Sequence, residues 1–270
     1  MKKIIALVLA LLTVAFCFAS CGDTAVQTVF EPSGEVKGSL KLGFDSEYPP
    51  YGYLDTEKNE YAGFDIESAK AVCDYLGYTL TLVPIDWNSK DMELEAGNID
   101  CIWNGFTING REDQYQWSVP YVDNSIVVLT AADSGINAVA DLAGKIITVQ
   151  AGSSGQSALD KNTELVASLA DGKYLTCANY TTAFQELKTG AVEAVIVDIG
   201  VAKYLIEGTE GYVILDEAVS SEQYGIGFLK GNTELCKTIE DAFLHLANNT
   251  DTIAKLAEKY EITDAVTVGK

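Results

Sequence analysis

Basic side chains are scarce in this sequence, and arginine is almost absent. The 270 residues contain 18 Lys and Arg against 39 Asp and Glu, and Arg111 is the single arginine. The formal net charge is −21. Such a surface repels nucleic acid and anionic lipid headgroups, so we expect neither as a partner. Because the chain uses lysine everywhere else, its one guanidinium needs a specific explanation.

Metal-binding and nucleotide-binding motifs are also missing. His245 is the only histidine, and the six cysteines contain no C-x-x-C pair. A metal site needs ligands that this chain does not place together, so we expect no metal and no other cofactor. No G-x-x-x-x-G-K-[ST] segment occurs, which argues against an ATPase. We interpret four widely spaced cysteines in apolar surroundings as buried free thiols, with a disulfide as the alternative. These four are Cys73, Cys101, Cys177 and Cys236.

The N-terminus has the pattern of a secretory signal. Lys2 and Lys3 precede an almost wholly apolar run, which ends at Ser20 and Cys21. The run is too short and wrongly flanked for a stable membrane span, and residues 1–20 are predicted to be a signal peptide. Ser20-Cys21 resembles a bacterial lipobox, which implies cleavage before Cys21 and lipid attachment to it. Ordinary cleavage with Cys21 left free is the alternative. Residues 21–38 are expected to be the lipidated cysteine and a flexible tether.

From residue 39 onward, strand and helix patterns alternate. SLKLGFD, TLTLVPIDW and IDCIW have strand character, and FDIESAKAVCDYLGY has helical spacing with Asp65 placed to cap its first turn. This order predicts a parallel sheet with crossover helices. The long extended run VPYVDNSIVVLTA contains no helix, and a second set of α/β units follows it.

Two α/β units imply a protein with two lobes. We predict lobe 1 over residues 39–126 plus 223–270 and lobe 2 over residues 127–222, joined by two extended crossings near 125–130 and 221–228. Open α/β sheets bind ligands outside the carboxyl ends of their strands, and both sheets would direct these ends at one cleft. Closure of the cleft by a hinge is the expected motion.

Several segments at these strand ends resemble the extracytoplasmic solute-binding proteins of polar amino-acid ABC importers. The resemblance runs from about residue 38 to 262. It is carried by GFDSEYPPYGYLD, YAGFDIESAKAV, VPIDW, GNIDCIWNGFTINGRE, WSVPYVDN, DLAGKIITVQAGSSG and EQYGIGF. It implies a fold like the type II periplasmic binding proteins, with a free amino acid as ligand and no catalysis. It also implies a permease and a separate ATPase subunit as partners, and a monomer anchored outside the cell membrane by its lipid.

Within that resemblance, Arg111 is the candidate for the ligand carboxylate. A guanidinium matches a carboxylate with two parallel donors and stays charged. In the family, an arginine shortly after a Gly-x-Thr segment has this role, and Gly105 to Thr107 is that segment here. Relatives commonly have one more residue before the arginine than the three, 108–110, that intervene in this chain. The alternative is a surface arginine paired with Glu112 or Asp113.

The resemblance assigns the remaining ligand contacts as well. Asp198, the Thr107 hydroxyl and the Gly105 carbonyl would accept from the ammonium, and a backbone N–H of Ser154 would support the carboxylate. The residues expected around the ligand side chain are Asp45, Tyr48, Trp87, Asn104 and Gln150. An acid at the far end and two aromatic rings favour a basic amino acid or glutamine, with cystine as a further alternative.

Two other functions remain open on the sequence. Some dehydratases of prephenate or arogenate resemble the same family, and such an enzyme needs a proton-transfer group in the cleft. Glu47 is the one additional acid that the sequence places near the site. The second alternative is a ligand sensor that acts on a separate signalling partner.

Overall fold

The computed structural model describes residues 27–270, so the predicted signal peptide, Cys17 and Cys21 lie outside the described residues. The strands of the described part are β1 (Thr28–Phe30), β2 (Gly38–Phe44), β3 (Glu47–Tyr48), β4 (Gly52–Asp55), β5 (Glu60–Ala62), β6 (Tyr78–Pro84), β7 (Cys101–Ile102), β8 (Tyr115–Trp117), β9 (Val122–Ala131), β10 (Ile147–Gln150), β11 (Leu175–Cys177), β12 (Ala194–Asp198), β13 (Tyr212–Ile214), β14 (Ser220–Tyr224) and β15 (Gly227–Leu229). Its α-helices are α1 (Phe64–Leu76), α2 (Lys90–Glu95), α3 (Ser154–Lys161), α4 (Thr163–Ser168), α5 (Tyr180–Thr189), α6 (Ile199–Ile206), α7 (Thr233–Asn249) and α8 (Thr252–Lys259). Short 3₁₀ turns cover Trp87–Ser89, Val139–Leu142 and Ala170–Gly172.

Lobe 1 is built on a six-stranded sheet in the order β1-β6-β2-β7-β15-β8. β2 is parallel to β6 and β7, while β1 and β15 run antiparallel to their neighbours. Leu40, Leu42 and Phe44 alternate along β2 with no exposed surface, and they share one core cluster with Ala69 and Val72 of α1. Helices α1, α7 and α8 pack against one another beside this sheet.

Lobe 2 is built on a second sheet, in the order β11-β10-β12-β9-β13, with β14 paired to β9. β10 is parallel to β11 and β12, and β9 is antiparallel to β12, β13 and β14. All five residues of β12 are buried, since helices α3, α5 and α6 pack on this sheet. The continuous apolar run AVIV suits a strand that is covered on both faces.

Two strands carry the chain between the lobes. The chain leaves lobe 1 after β8 and enters β9, and it returns from β14 to β15. β9 and β14 pair with each other from Val122–Tyr224 to Ile126–Ser220. The C-terminal segment lies beside them, because the Thr267 N–H donates to the Tyr121 carbonyl at 2.9 Å. The chain therefore passes from one sheet to the other over residues 118–121 and returns over residues 225–226. The return lies within the predicted crossing near 221–228, but the first crossing comes before the predicted 125–130, which lies inside β9.

Two local predictions need correction. Residues 28–30 were expected within the tether, but they form β1 and pair with Leu80 to Leu82; the sequence Thr-Val-Phe favours a strand. Asp65 does not cap α1, whose N-cap is Gly63 without a side-chain bond. Asp65 is instead fully buried and accepts from the Gly105 N–H at 2.6 Å and the Tyr121 hydroxyl at 2.9 Å.

The four described cysteines are buried and unpaired, which confirms their interpretation as free thiols. Burial raises the pKa of Cys73 to about 12 and that of Cys177 to about 11, so both thiols stay protonated at neutral pH. Among residues 27–270, no helix has the length and apolar content needed to cross a bilayer.

Candidate functional site

The predicted site residues lie at the carboxyl ends of strands from both sheets. Asp45 follows β2 and Asn104 follows β7 in lobe 1, while Gln150 ends β10 and Asp198 ends β12 in lobe 2. All four are buried although their side chains are polar. Since buried polar groups need partners, their hydrogen bonds show how the two lobes meet.

At one end of the cleft, Asp45 is held from both lobes. Its Oδ2 accepts from Gln150 Nε2 of lobe 2 at 2.6 Å, and its own N–H donates to Asn104 Oδ1 at 2.9 Å. Burial raises the pKa of Asp45 to about 6, against the hydrogen bonds from the Glu47 N–H and Gln150. The carboxylate is therefore mainly ionised at neutral pH and can accept from a cationic or amide group.

Aromatic rings form the wall next to Asp45. The rings of Tyr48 and Trp87 are nearly parallel, at 7°, with centroids 6.5 Å apart. This distance lies near the upper end for a stacked pair. Tyr180 of lobe 2, which the sequence analysis did not identify, lies 6.0 Å from Tyr48. Its hydroxyl is buried and has no partner among the described residues.

Gly105 lies where only glycine fits. Its φ is 55°, and a Cβ placed there would come within 2.7 Å of Tyr48 Cε1 and 3.1 Å of Tyr224 Cε2. Asp65 fixes this residue through the Gly105 N–H. Burial raises the pKa of Asp65 to about 7. The helix α1 thereby positions the loop that carries Thr107.

Two buried acids of the cleft, Asp198 and Glu222, share one amide. Asp198 Oδ1 accepts from the Tyr224 hydroxyl at 2.6 Å and from Asn124 Nδ2 at 2.8 Å. The same Asn124 Nδ2 also donates to Glu222 Oε1 at 2.8 Å. Burial raises the pKa of Asp198 above its usual range, against the hydrogen bonds from Tyr224, Tyr48 and Asn124.

Glu222 joins this acid pair to both lobes. Its Oε1 also accepts from Thr107 Oγ1 of lobe 1 at 2.8 Å and from Ser154 Oγ of lobe 2 at 3.1 Å. Burial raises the pKa of Glu222 to about 7, and the charge of Asp198 adds to the effect. The pair therefore holds a proton near neutral pH that a cationic group in the cleft would displace.

Glu222 was not among the predicted site residues, and Glu47 was expected to be the only additional acid. Glu47 is exposed, whereas Glu222 is 7% exposed and lies in the cleft. A signal for it was present. Residues two apart in a strand lie on the same face. Glu222 therefore shares the face of the aromatic Tyr224, and both are buried in β14.

Arg111 lies at the side of Thr107 that faces lobe 2. Its Nη1 donates to the Thr107 carbonyl at 3.3 Å and its Nη2 to the Gly152 carbonyl at 3.2 Å. The short loop ahead of Arg111 turns tightly, since the Arg111 N–H donates to the Ile108 carbonyl at 2.8 Å. No acid of residues 27–270 lies within ion-pair distance of the guanidinium. The alternative of a surface pair with Glu112 or Asp113 is therefore not what the structure shows.

Two cavities flank these contacts. One, of about 450 Å³, reaches one acid of the pair and is bordered by Asn124 and Glu222. The other, of about 390 Å³, lies between α6 and α8 and is bordered by Tyr53, Tyr204 and Tyr260. Neither is lined by Asp45 or Arg111, since the lobes meet directly there. Within residues 27–270, no group of three or more His, Cys, Asp or Glu is arranged to hold a metal ion.

Comparisons with known proteins show the family and the fold. The model of the bacterial extracellular solute-binding proteins, family 3, matches residues 40–263. The L-cystine-binding protein TcyJ of Escherichia coli (strain K12) is 28% identical over 228 residues, 83% of each chain. The arginine-binding extracellular protein ArtP of Bacillus subtilis (strain 168) is 28% identical over 266 residues, covering 96% of this chain and 98% of that one. Among solved structures, an ABC uptake transporter substrate binding protein from Streptococcus pneumoniae with bound histidine has a TM-score of 0.81 at 32% identity. That match covers 85% of this chain and 94% of the other.

Proposed function

The chain belongs to the bacterial extracellular solute-binding proteins, family 3, and from this membership we propose that it captures a free polar amino acid for an ABC importer. The observation that carries the proposal is one hydrogen-bonded network in the cleft. It runs from Arg111 through Thr107 to Glu222, and from there through Asn124 to Asp198. A zwitterion needs a cation for its carboxylate and an acid for its ammonium, and this network contains both.

Arg111 binds the ligand carboxylate in this proposal. Its present partners are two neutral carbonyl oxygens, and charge-assisted bonds to a carboxylate are roughly twice as strong as neutral ones. Ser154 begins α3, so its backbone N–H adds a donor from lobe 2. Contacts from both lobes make closure depend on the ligand, since a ligand with equal affinity for both forms shifts nothing.

Asp198 and Glu222 receive the ligand ammonium. The Thr107 hydroxyl, the Ser154 hydroxyl and Asn124 now satisfy the same Glu222 oxygen. An ammonium with three donors can replace part of these bonds and stabilises the ionised form of the pair. This cage of two acids extends the single aspartate that the sequence predicts.

The ligand side chain lies between Tyr48 and Trp87 and ends at Asp45. A planar group between two rings needs about 7 Å between the ring planes. The ring centroids of Tyr48 and Trp87 are 6.5 Å apart, which is slightly less than this spacing. Asp45 and Gln150 then offer an acceptor and an amide at the far end. This chemistry favours a basic amino acid or glutamine, with cystine as the longer alternative.

The proposal includes delivery to a membrane permease that works with a separate ATPase. Lipidation of Cys21 would keep the monomeric protein at the outer face of the membrane, with two acyl chains sufficient for stable anchoring. Mass spectrometry of the protein from membranes tests this point: diacylated Cys21 is expected, and a free Cys21 after signal removal would contradict it.

A thermal-shift screen tests the ligand class. The mature protein is heated with each of the twenty amino acids and with L-cystine. A ligand at 100 times its dissociation constant stabilises by about 2.7 kcal/mol, which raises the midpoint by several degrees. Stabilisation by arginine, lysine, histidine, glutamine or cystine is expected, and no response to any amino acid would contradict the proposal.

A dehydratase activity is tested separately. Glu222 would be its proton-transfer group, because its raised pKa leaves it partly protonated at neutral pH. The purified protein is incubated with prephenate and, separately, with arogenate. We expect no phenylpyruvate or phenylalanine, and formation of either at a rate that Glu222→Gln abolishes would show an enzyme.

A further inference from the structure

Lys90 is a buried cation that the ligand contacts above do not use. It begins α2, directly after the 3₁₀ turn of Trp87, and it is 5% exposed. Its Nζ donates to the Gly152 carbonyl at 3.2 Å and to the Trp87 carbonyl at 3.4 Å. No acid of the described residues lies within ion-pair distance of it. A buried ammonium normally has an acidic partner.

The neighbouring acids are engaged elsewhere. Asp91 accepts from the Tyr115 hydroxyl, and Asp86 Oδ1 accepts from the Asn88 N–H at 2.8 Å. Burial lowers the pKa of Lys90 to about 8, against the attraction of Asp91 and Asp86, and the positive charge of Arg111 adds to the lowering. The charge of Lys90 is therefore incompletely balanced by the protein itself.

Arg111 shares the partner of Lys90. Both side chains donate to the Gly152 carbonyl at 3.2 Å, so two cations meet at one neutral oxygen. Gly152 has φ 72°, and a Cβ there would lie 3.2 Å from Asn88 Oδ1 and 3.4 Å from Lys90 Nζ. The close approach of this lobe 2 turn to α2 therefore depends on glycine. An anion placed beside the turn would balance both cations at once.

We propose that Lys90 acts with Arg111 as a second cation for the ligand carboxylate. This inference rests on the proposed amino-acid-binding function and deepens it. Lys90 approaches from the Trp87 side and Arg111 from the Thr107 side, and the carboxylate lies between them at the Gly152 turn. The ligand class is thereby narrowed to amino acids with a free α-carboxylate, with discrimination against their amides, esters and peptide-linked forms.

The competing explanation is a latch. In that case, Lys90 stabilises closure through the Gly152 carbonyl alone and never contacts the ligand. A latch affects every ligand that closes the cleft by the same factor. A carboxylate contact affects only ligands that carry the carboxylate.

The experiment pairs a variant with a change in the ligand. L-arginine, L-lysine, L-histidine and L-glutamine are compared with their α-carboxamides by calorimetry at pH 7, and the pair whose free acid binds most tightly is used for the variants. Lys90→Met keeps the length of the side chain and its apolar contacts. We expect it to weaken binding of the free acid by about 10- to 100-fold, as for loss of a charged hydrogen bond, and binding of the carboxamide by less than about 3-fold.

Controls separate the outcomes. Lys173→Met removes an exposed lysine and is expected to leave both affinities unchanged, while Lys90→Arg retains most of the affinity for the free acid. Equal weakening of acid and carboxamide by Lys90→Met, or no weakening, would overturn the inference while leaving amino-acid binding intact. If the wild type responds to none of the twenty amino acids and not to L-cystine, the proposed function fails instead.

A measurement on the wild type covers the case in which Lys90→Met does not fold. The lysine ¹³Cε signal that titrates near pH 8 is followed by NMR with and without ligand. The free amino acid should move this titration upward by at least one pH unit, because a bound carboxylate stabilises the ammonium. The carboxamide should leave it in place, and an unchanged titration with the free acid would refute the contact.

Discussion

The acid pair makes amino-acid binding depend on pH near neutrality. In the free protein the pKa of Glu222 is about 7, and the ammonium of a ligand favours the ionised carboxylate. A group whose pKa falls on binding strengthens binding at pH values above the pKa that it has in the free protein. This contribution is lost as the pH drops through that pKa. The acid pair should therefore make affinity fall as the pH drops below 7, and loss of the charge of Lys90, whose pKa is about 8, should lower it again above about pH 8.

The size of the effect follows from one displaced proton. If the bound pair stays ionised, the dissociation constant rises by about eightfold between pH 7.5 and pH 6.0, approaching tenfold for each further unit. Calorimetry at pH 6.5 in two buffers of different ionisation enthalpy should show release of about three quarters of a proton. Asp45 has a pKa of about 6, so it contributes mainly below this window.

Glu222→Gln identifies the source of the proton. This variant should weaken binding at pH 7.5 by about 10-fold or more, as for loss of a charged hydrogen bond, and should release much less proton at pH 6.5. The two proteins should converge as the pH falls, since Glu222 is then protonated in the wild type. Glu47→Gln, which changes an exposed acid, serves as the matched control. Proton release that Glu222→Gln leaves unchanged would refute the role of Glu222.

Three further substitutions test the site by other routes. Arg111→Lys should weaken binding by about 2–5 kcal/mol in calorimetry, and unchanged affinity would remove Arg111 from the site. Gly105→Ala should lower the free energy of unfolding by about 2–4 kcal/mol in urea, since left-handed strain adds to overlap with Tyr48. Gly97→Ala, at φ 72° with open space around it, should show only the strain, and equal losses would contradict the packing argument. Asp65→Ala should cost about 2–6 kcal/mol, because it leaves the Gly105 N–H and the Tyr121 hydroxyl without their acceptor, and a loss below 1 kcal/mol would contradict that role.

The cleft positions at strand ends could be predicted from the sequence. Asp45, Gln150 and Asp198 each close a short apolar run, and the carboxyl ends of parallel strands meet at one edge of a sheet. Arg111 stood out because guanidinium occurs once in the chain. These positions follow from local patterns and a general property of α/β sheets, whereas the role of each residue toward the ligand comes from the family resemblance.

Other features depend on contacts that the sequence does not display. The partner of Glu222 across the cleft is Thr107, 115 residues away, and no local pattern specifies that pairing. Asp65 fits the first turn of a helix equally well as a cap or as a buried acceptor, and only the position of Gly105 decides between them. The strand Thr28–Phe30 forms by pairing with the free edge of β6, which its own sequence does not specify. In each case tertiary packing selects among conformations that the local sequence permits.

Asn124 and Glu222 lie on β9 and β14, the paired strands that connect the lobes. The acid proposed to receive the ligand ammonium and the amide bonded to it thus lie on the same pair of strands that would act as the hinge between the lobes. A substitution at either position that alters ligand specificity would therefore also alter the equilibrium between the open and closed forms. Ligand specificity and the arrangement of the lobes without ligand should accordingly change together as the sequence diverges.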